Sequence, residues 1–157
     1  MAEELGGAFL DADDFFWSSS EPPFQVRRPV EERRSLLLGQ LSRVDVAVLS
    51  GSVSGWGVEI EDAVDFVVFL YVDTALRLGR LREREIQRFG KANPAFLDWA
   101  AQDDEGPSEG RSLAKQRAWL SARSCPVLNL EGNLSTRERL ARIRLWMGNR
   151  WPAPEQP

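Results

Sequence analysis

The sequence predicts an α/β fold, a parallel sheet with helices on both faces. Three observations carry this prediction. Val44 to Leu49, Phe66 to Val72 and Pro126 to Leu130 are apolar runs without polar alternation, the pattern of strands covered on both sides. Stretches with helical start and stop signals separate these runs, as in sheets built from parallel strands. At 157 residues, with 43% hydrophobic and 28% charged residues, the chain has the length and balance of one ordinary globular domain.

The elements follow in order. Ala2 to Leu5 reads as the last turn of a helix, closed by Gly6-Gly7 where a C-terminal cap needs positive φ. Gly7 to Asp11 is a short strand and Pro22-Pro23 a loop. Pro29 suits the first turn of a helix running to about Leu41. After the Phe66–Val72 run, Thr74 can cap a helix reaching Phe89. Asn93-Pro94 opens another through Trp99, and Asp103 to Gly110 is a polar loop. Arg111 to Arg123 is helical. Ser135 with Glu138 three residues on makes a capping box for the last helix, which carries Leu140, Ile143 and Trp146. The domain is expected over 1–150, with 151–157 a frayed Pro-rich tail.

Composition narrows the function classes. A net charge of −4 and a pI near 5.0 argue against nucleic acid as a partner. The lysines are Lys91 and Lys115, so arginine supplies most of the positive charge. Arginine suits forked contacts with phosphate, although a biased genome gives the same ratio. The absence of histidine excludes a Ser-His-Asp or Cys-His pair and any His-ligated zinc. Cys125 stands alone, which fits a reducing compartment. No apolar stretch is long enough to span a bilayer, so a cytoplasmic protein without a membrane partner is expected.

Three constellations carry chemistry. Asp11, Asp13 and Asp14 follow the first strand, where open α/β sheets bind ligands. Such carboxylates suit a metal–phosphate site and the orientation of an attacking hydroxyl. They equally suit a solvated loop or the start of a helix. The loop Ser50-Gly51-Ser52-Val53-Ser54-Gly55-Trp56-Gly57 lets backbone approach a ligand, and Trp56 and Trp17 could stack on an acceptor. Its alternative is a connector with a Trp folded onto the core. Arg77, Arg80, Arg84 and Arg88 share one helix face, with Glu83 and Glu85 near enough to offset their repulsion. They read either as a salt-bridged solvated face or as a lid closing over phosphates.

Phe9-Leu10-Asp11-Ala12-Asp13-Asp14-Phe15-Phe16-Trp17, Val48-Leu49-Ser50-Gly51-Ser52, Phe69-Leu70-Tyr71-Val72 and Arg77 through Gly90, taken in order, resemble the bacterial P-loop kinases related to adenylate, shikimate and gluconate kinases. Phe96-Leu97-Asp98-Trp99-Ala100, Glu109-Gly110-Arg111-Ser112 and Cys125-Pro126-Val127-Leu128 extend the resemblance to nearly the whole chain. It is closest to small adenylate-kinase-like chains of the kind grouped with AAA-family ATPases. The resemblance implies a three-layer sandwich with a helical lid at about 74–123 and ATP-dependent phosphoryl transfer to a nucleoside, nucleotide or small hydroxyl acceptor. By the same resemblance Asp11 supports Mg²⁺, and Asp13, Arg80 and Arg111 are catalytic. Trp17, Ser50, Gly51, Ser52 and Trp56 would hold the acceptor, and Arg77, Arg84, Gly132 and Asn133 the ATP.

The sequence departs from that family in two places. It contains no Gly-x-x-x-x-Gly-Lys-Ser/Thr loop, and of the segment preceding Gly6 only Ala2-Glu3-Glu4-Leu5 corresponds. The implied central first strand and phosphate-binding loop are thus absent, and the expectation is a truncated reading of a longer kinase, inactive or nearly so by itself. Lys91-Ala92-Asn93 is also shorter than the usual lid loop. A sheet without its central strand would expose two hydrophobic edges, which suits a homodimer through those edges or a non-catalytic pseudokinase or interaction module.

Overall fold

A computed structural model describes residues 1–102, 104, 106 and 112–148. The described chain is α/β, with short parallel and antiparallel ladders among helices. It divides into two compact units, one formed by Met1–Asp65 with residues 147–148 and the other by Phe66–Trp146.

The first unit opens with a 3-10 turn, Glu3–Leu5, ended by Gly6 at φ 62°. Strand β1 (Ala8–Asp11) runs parallel to β4 (Ala47–Ser50), registering Ala8 on Ala47 and Asp11 on Ser50. Gly7 permits this entry, since a Cβ there would meet Val46 Cγ1 at 2.6 Å and its carbonyl oxygen at 2.8 Å. Helix α1 (Ala12–Phe16) follows directly, and a two-residue antiparallel ribbon joins β2 (Trp17–Ser18) to β3 (Val26–Arg27). Helix α2 (Val30–Leu41) starts at Pro29 with Glu31 and Glu32 in its first turn, where the helix dipole favours negative charge. Helix α3 (Val58–Glu61) is a single turn. Ala12, Phe15, Leu37 and Ile60 from these elements are buried, together with Val53 and Trp56 from the loop before α3.

In the second unit β5 (Val67–Tyr71) runs parallel to β6 (Val127–Glu131), with Val67 on Val127 and Tyr71 on Glu131. Helix α4 (Thr74–Phe89) is followed by α5 (Pro94–Ala101), α6 (Leu113–Ser121) and α7 (Thr136–Met147). Most boundaries have a local cause. Gly90 at φ 75° closes α4, and Asn93 accepts from the Phe96 amide with Pro94 in the first turn of α5. Ser112 caps α6 by accepting from Lys115. The capping box at α7 forms in both directions, with Ser135 N donating to Glu138 Oε2 at 2.7 Å and Glu138 N to Ser135 Oγ at 3.3 Å. Phe66 meets Trp146 edge to face at 5.8 Å.

Several expectations are corrected. Among the described residues the predicted strands pair two at a time, as the parallel ladders β1–β4 and β5–β6. Most of their residues are half-buried, Leu130 is in the core, and Phe9 and Leu70 are more than half exposed. The strand expected from Val44 begins at Ala47, because the helix before it ends in a turn through residues 42–43. The cap of α4 is Asp73, which accepts from the Leu76 amide, and Thr74 is the first helical residue. Helix α1, the β2–β3 ribbon and α3 have five residues or fewer each, too short to leave a periodic signal in sequence. Among the described residues no helix is long and apolar enough to cross a membrane.

Candidate functional site

The register of β1 on β4 sets Asp11 beside Ser50 at the C-terminal ends of two parallel strands, the position where open α/β sheets bind ligands. Gly51 at φ 105° lets the two chains converge further, since a Cβ there would come within 2.7 Å of Ala12 Cβ. The acidic strand end and the small-residue loop predicted from sequence therefore adjoin. Asp11 also caps α1, its Oδ1 accepting from the Asp13 amide at 3.0 Å. The helix start read from these acids is real, and it turns Asp13 and Asp14 outward to solvent.

Next to that helix lies an open pocket of about 220 Å³ lined by Asp13, Asp14, Trp17, Ser18, Ser19, Ser20, Pro23 and Phe24. The β2–β3 ribbon builds its wall. Trp17 packs edge to face on Phe16 at 4.8 Å and on Phe24 at 6.2 Å. Ser20 Oγ donates to the Pro22 carbonyl at 2.9 Å and accepts from the Gln25 amide at 3.3 Å, tying the loop to itself. Phe24 sits at φ 64°, a left-handed conformation uncommon for a bulky residue. Asp13, Asp14 and Trp17, each singled out in the sequence, line this pocket.

Trp56 is the first correction within the site. It is 2% exposed and stacks on Phe16 at 6.3 Å, so it is a core residue and no acceptor platform. Arg33 lies over both rings, its guanidinium carbon 4.3 Å from the Phe16 centroid and 5.4 Å from that of Trp56. Burial pushes the Arg33 pKa below its ordinary value, and the charge of Arg27 lowers it further. Ser52 is half-buried in the same loop.

The arginine comb belongs to the second unit. Arg77 Nη1 pairs with Asp104 Oδ1 at 2.9 Å, and Nη2 donates to the Ala100 carbonyl at 3.1 Å. Asp104 also accepts from the hydroxyls of Thr74 and Tyr71, the latter at 3.3 Å. Burial raises the Asp104 pKa, but the hydrogen bonds from Thr74 and Arg77 outweigh it and hold the carboxyl below its usual range. Arg77, expected to bind ATP, is instead committed to joining α4 to the segment after α5. Arg80 Nη2 donates to Asn133 Oδ1 at 2.5 Å, so two expected ligand-binding residues meet each other. Gly132 donates its amide to the Tyr71 carbonyl at 2.9 Å. Arg84 is exposed. Arg111 lies outside the described residues. Asp104 had no sequence signal, since its partners lie 27 to 33 residues earlier.

Oxygen donors for a metal are few. Asp11 keeps Oδ2, and the Ser50 hydroxyl is its neighbour in register, a set compatible with Mg²⁺ only when phosphate oxygens and water complete the shell. Among the described residues no group of three or more acidic or cysteine side chains could hold a metal unaided.

No family model matches the chain, and no solved structure matches it. It is 36% identical over 153 residues to the uncharacterized protein YqaC of Bacillus subtilis strain 168, an alignment covering 91% of this chain and 84% of that protein. Identity at that level across nearly the full length of both means that the chain belongs to the YqaC family.

Proposed function

We propose that this chain carries the acceptor side of an ATP-dependent phosphoryl-transfer site with the P-loop kinase three-layer sandwich as its ancestral fold. The observation that carries the reading is the adjacency of Asp11 and Ser50 at the end of a parallel strand pair, with the Asp13–Phe24 pocket next to it. In this reading Asp13 orients the acceptor hydroxyl and takes its proton, and Trp17 covers the acceptor. Mg²⁺ near Asp11 would neutralise charge on the transferring phosphate. Arg77 stands outside this reading, since it holds its helix in place through Asp104. The sequence offers no Gly-rich lysine loop for the phosphates of ATP, and preorganised donors of that kind are usually the largest catalytic contribution.

The test is acceptor-dependent ADP release from Mg-ATP over a panel of nucleosides and small alcohols. The expected rate is low, and Asp13→Asn should reduce it by about a hundredfold, the lower range for loss of a general base. No acceptor-dependent release above the Asp13→Asn background overturns the assignment.

A second reading, an interaction module, is favoured by one observation. Phe9 is 62% and Leu70 52% exposed within ladders of two strands each, where another chain could pair. Light scattering should then detect a concentration-dependent dimer that Phe9→Lys abolishes; a monomer at all concentrations dismisses this reading.

A further inference from the structure

We propose that the Asp13–Phe24 pocket recognises a small organic cation, with an ammonium head against the rings of Trp17 and Phe24 and counter-charge from Asp13 and Asp14. The lining contains two carboxylates, two aromatic rings, three serines and a proline, and no lysine or arginine. Arg27, across from Trp17 in the ribbon, and Arg28 lie outside it. Carboxylates at the rim raise the local concentration of cations, and aromatic faces attract them through the ring quadrupole, tryptophan most strongly. A phosphomonoester would instead bring its own negative charge against Asp13 and Asp14.

The pocket's size and construction agree with a small head group. At about 220 Å³ it falls below the roughly 300–1,000 Å³ of drug-sized ligand sites. Its aromatic wall is preset, because the edge-to-face pair of Trp17 and Phe24 stands before any ligand arrives. Phe24 is half exposed and held at positive φ, so its ring does not serve the core. The loop positions an aromatic ring at a conformational cost where a glycine or asparagine would be easier.

This inference concerns recognition at the same pocket, and binding is therefore measured apart from phosphoryl transfer. Amide NMR spectra of the chain are recorded during titration with tetramethylammonium chloride and, separately, with AMP, at constant ionic strength. The expected result is saturable shifts confined to residues 13–24 with tetramethylammonium and none there with AMP. Phe24→Asn and Asp14→Asn should each weaken the tetramethylammonium titration by about two- to fivefold, as for a partly exposed cation–π contact. Both residues are exposed, and the spectra report folding directly, so either variant alone decides. Shifts that fail to saturate, AMP titrating the same amides at lower concentration, or variants matching the parent chain would each overturn the proposal. Tetramethylammonium binding without any acceptor-dependent ADP release would leave the cation site standing and remove the kinase reading.

Discussion

Arg77 reaches Asp104 across 27 residues of sequence, its Nη1 2.9 Å from the carboxylate, and so ties helix α4 to the segment that follows α5. The side chains of both residues are less than a quarter exposed, and Tyr71 and Thr74 complete the carboxylate's hydrogen bonds. Removing one partner leaves the other with unmet polar groups, which costs more than the pair itself contributes.

Asp104→Ala should therefore destabilise the second unit by about 1–3 kcal/mol, the cost of orphaning partly buried polar groups. Asp104→Asn should lose less, because it still accepts hydrogen bonds. Urea unfolding measures both. Equal midpoints for Asp104→Ala and the parent chain would show that the network contributes nothing.

The same carboxylate makes stability depend on pH with a defined sign. Its folded pKa is below the unfolded value, so its contribution is present above the ordinary carboxylate pKa of about 4 and is lost as pH falls through the folded value. Tyr71 has the opposite shift, raised first by burial and then by Asp104. Its contribution is complete below the usual tyrosine pKa of about 10 and is lost as pH rises through the folded value. Tyr71→Phe should flatten the alkaline limb of a melting-temperature profile and Asp104→Asn the acid limb. Unchanged limbs in both variants refute the assignment.

Gly51→Ala should destabilise the first unit by more than backbone strain alone. At φ 105° strain costs about 1–3 kcal/mol, and the new Cβ would also sit 2.7 Å from Ala12 Cβ. Gly55→Ala is the control, since at φ 76° it has strain but no atom within 4 Å of the new methyl. A Gly51→Ala loss no larger than that of Gly55→Ala would mean the Asp11–Ser50 convergence is not tight.

The two tryptophans expected to serve the ligand should separate cleanly. Trp56→Ala removes a residue that is 2% exposed and should cost about 3–5 kcal/mol, enough to unfold the first unit in mild denaturant. Trp17→Ala should keep the unit folded while emptying one wall of the pocket. Comparable destabilisation by the two substitutions would contradict these separate roles.

Local signals were legible in the sequence wherever cause and effect lie within about four residues. The Ser135–Glu138 box, Asn93-Pro94 at α5, Gly90 after α4 and the apolar runs of β4, β5 and β6 all follow from side chains acting on neighbouring backbone. The acids of 11–14 and the loop of 50–52 were also found, and the parallel register of β1 on β4 brought them together. Tertiary structure alone decided which of two similar residues lines a pocket. Trp17 and Trp56 were both expected at the acceptor, yet one lines a pocket and the other is enclosed by Phe16 and Arg33. Arg77 and Arg84 stand on one helix face, yet among the described residues only Arg77 meets a carboxylate from a distant loop. Helix periodicity and capping are set by the chain's nearest neighbours, whereas burial and charge pairing depend on groups brought from dozens of residues away, and only folding supplies those.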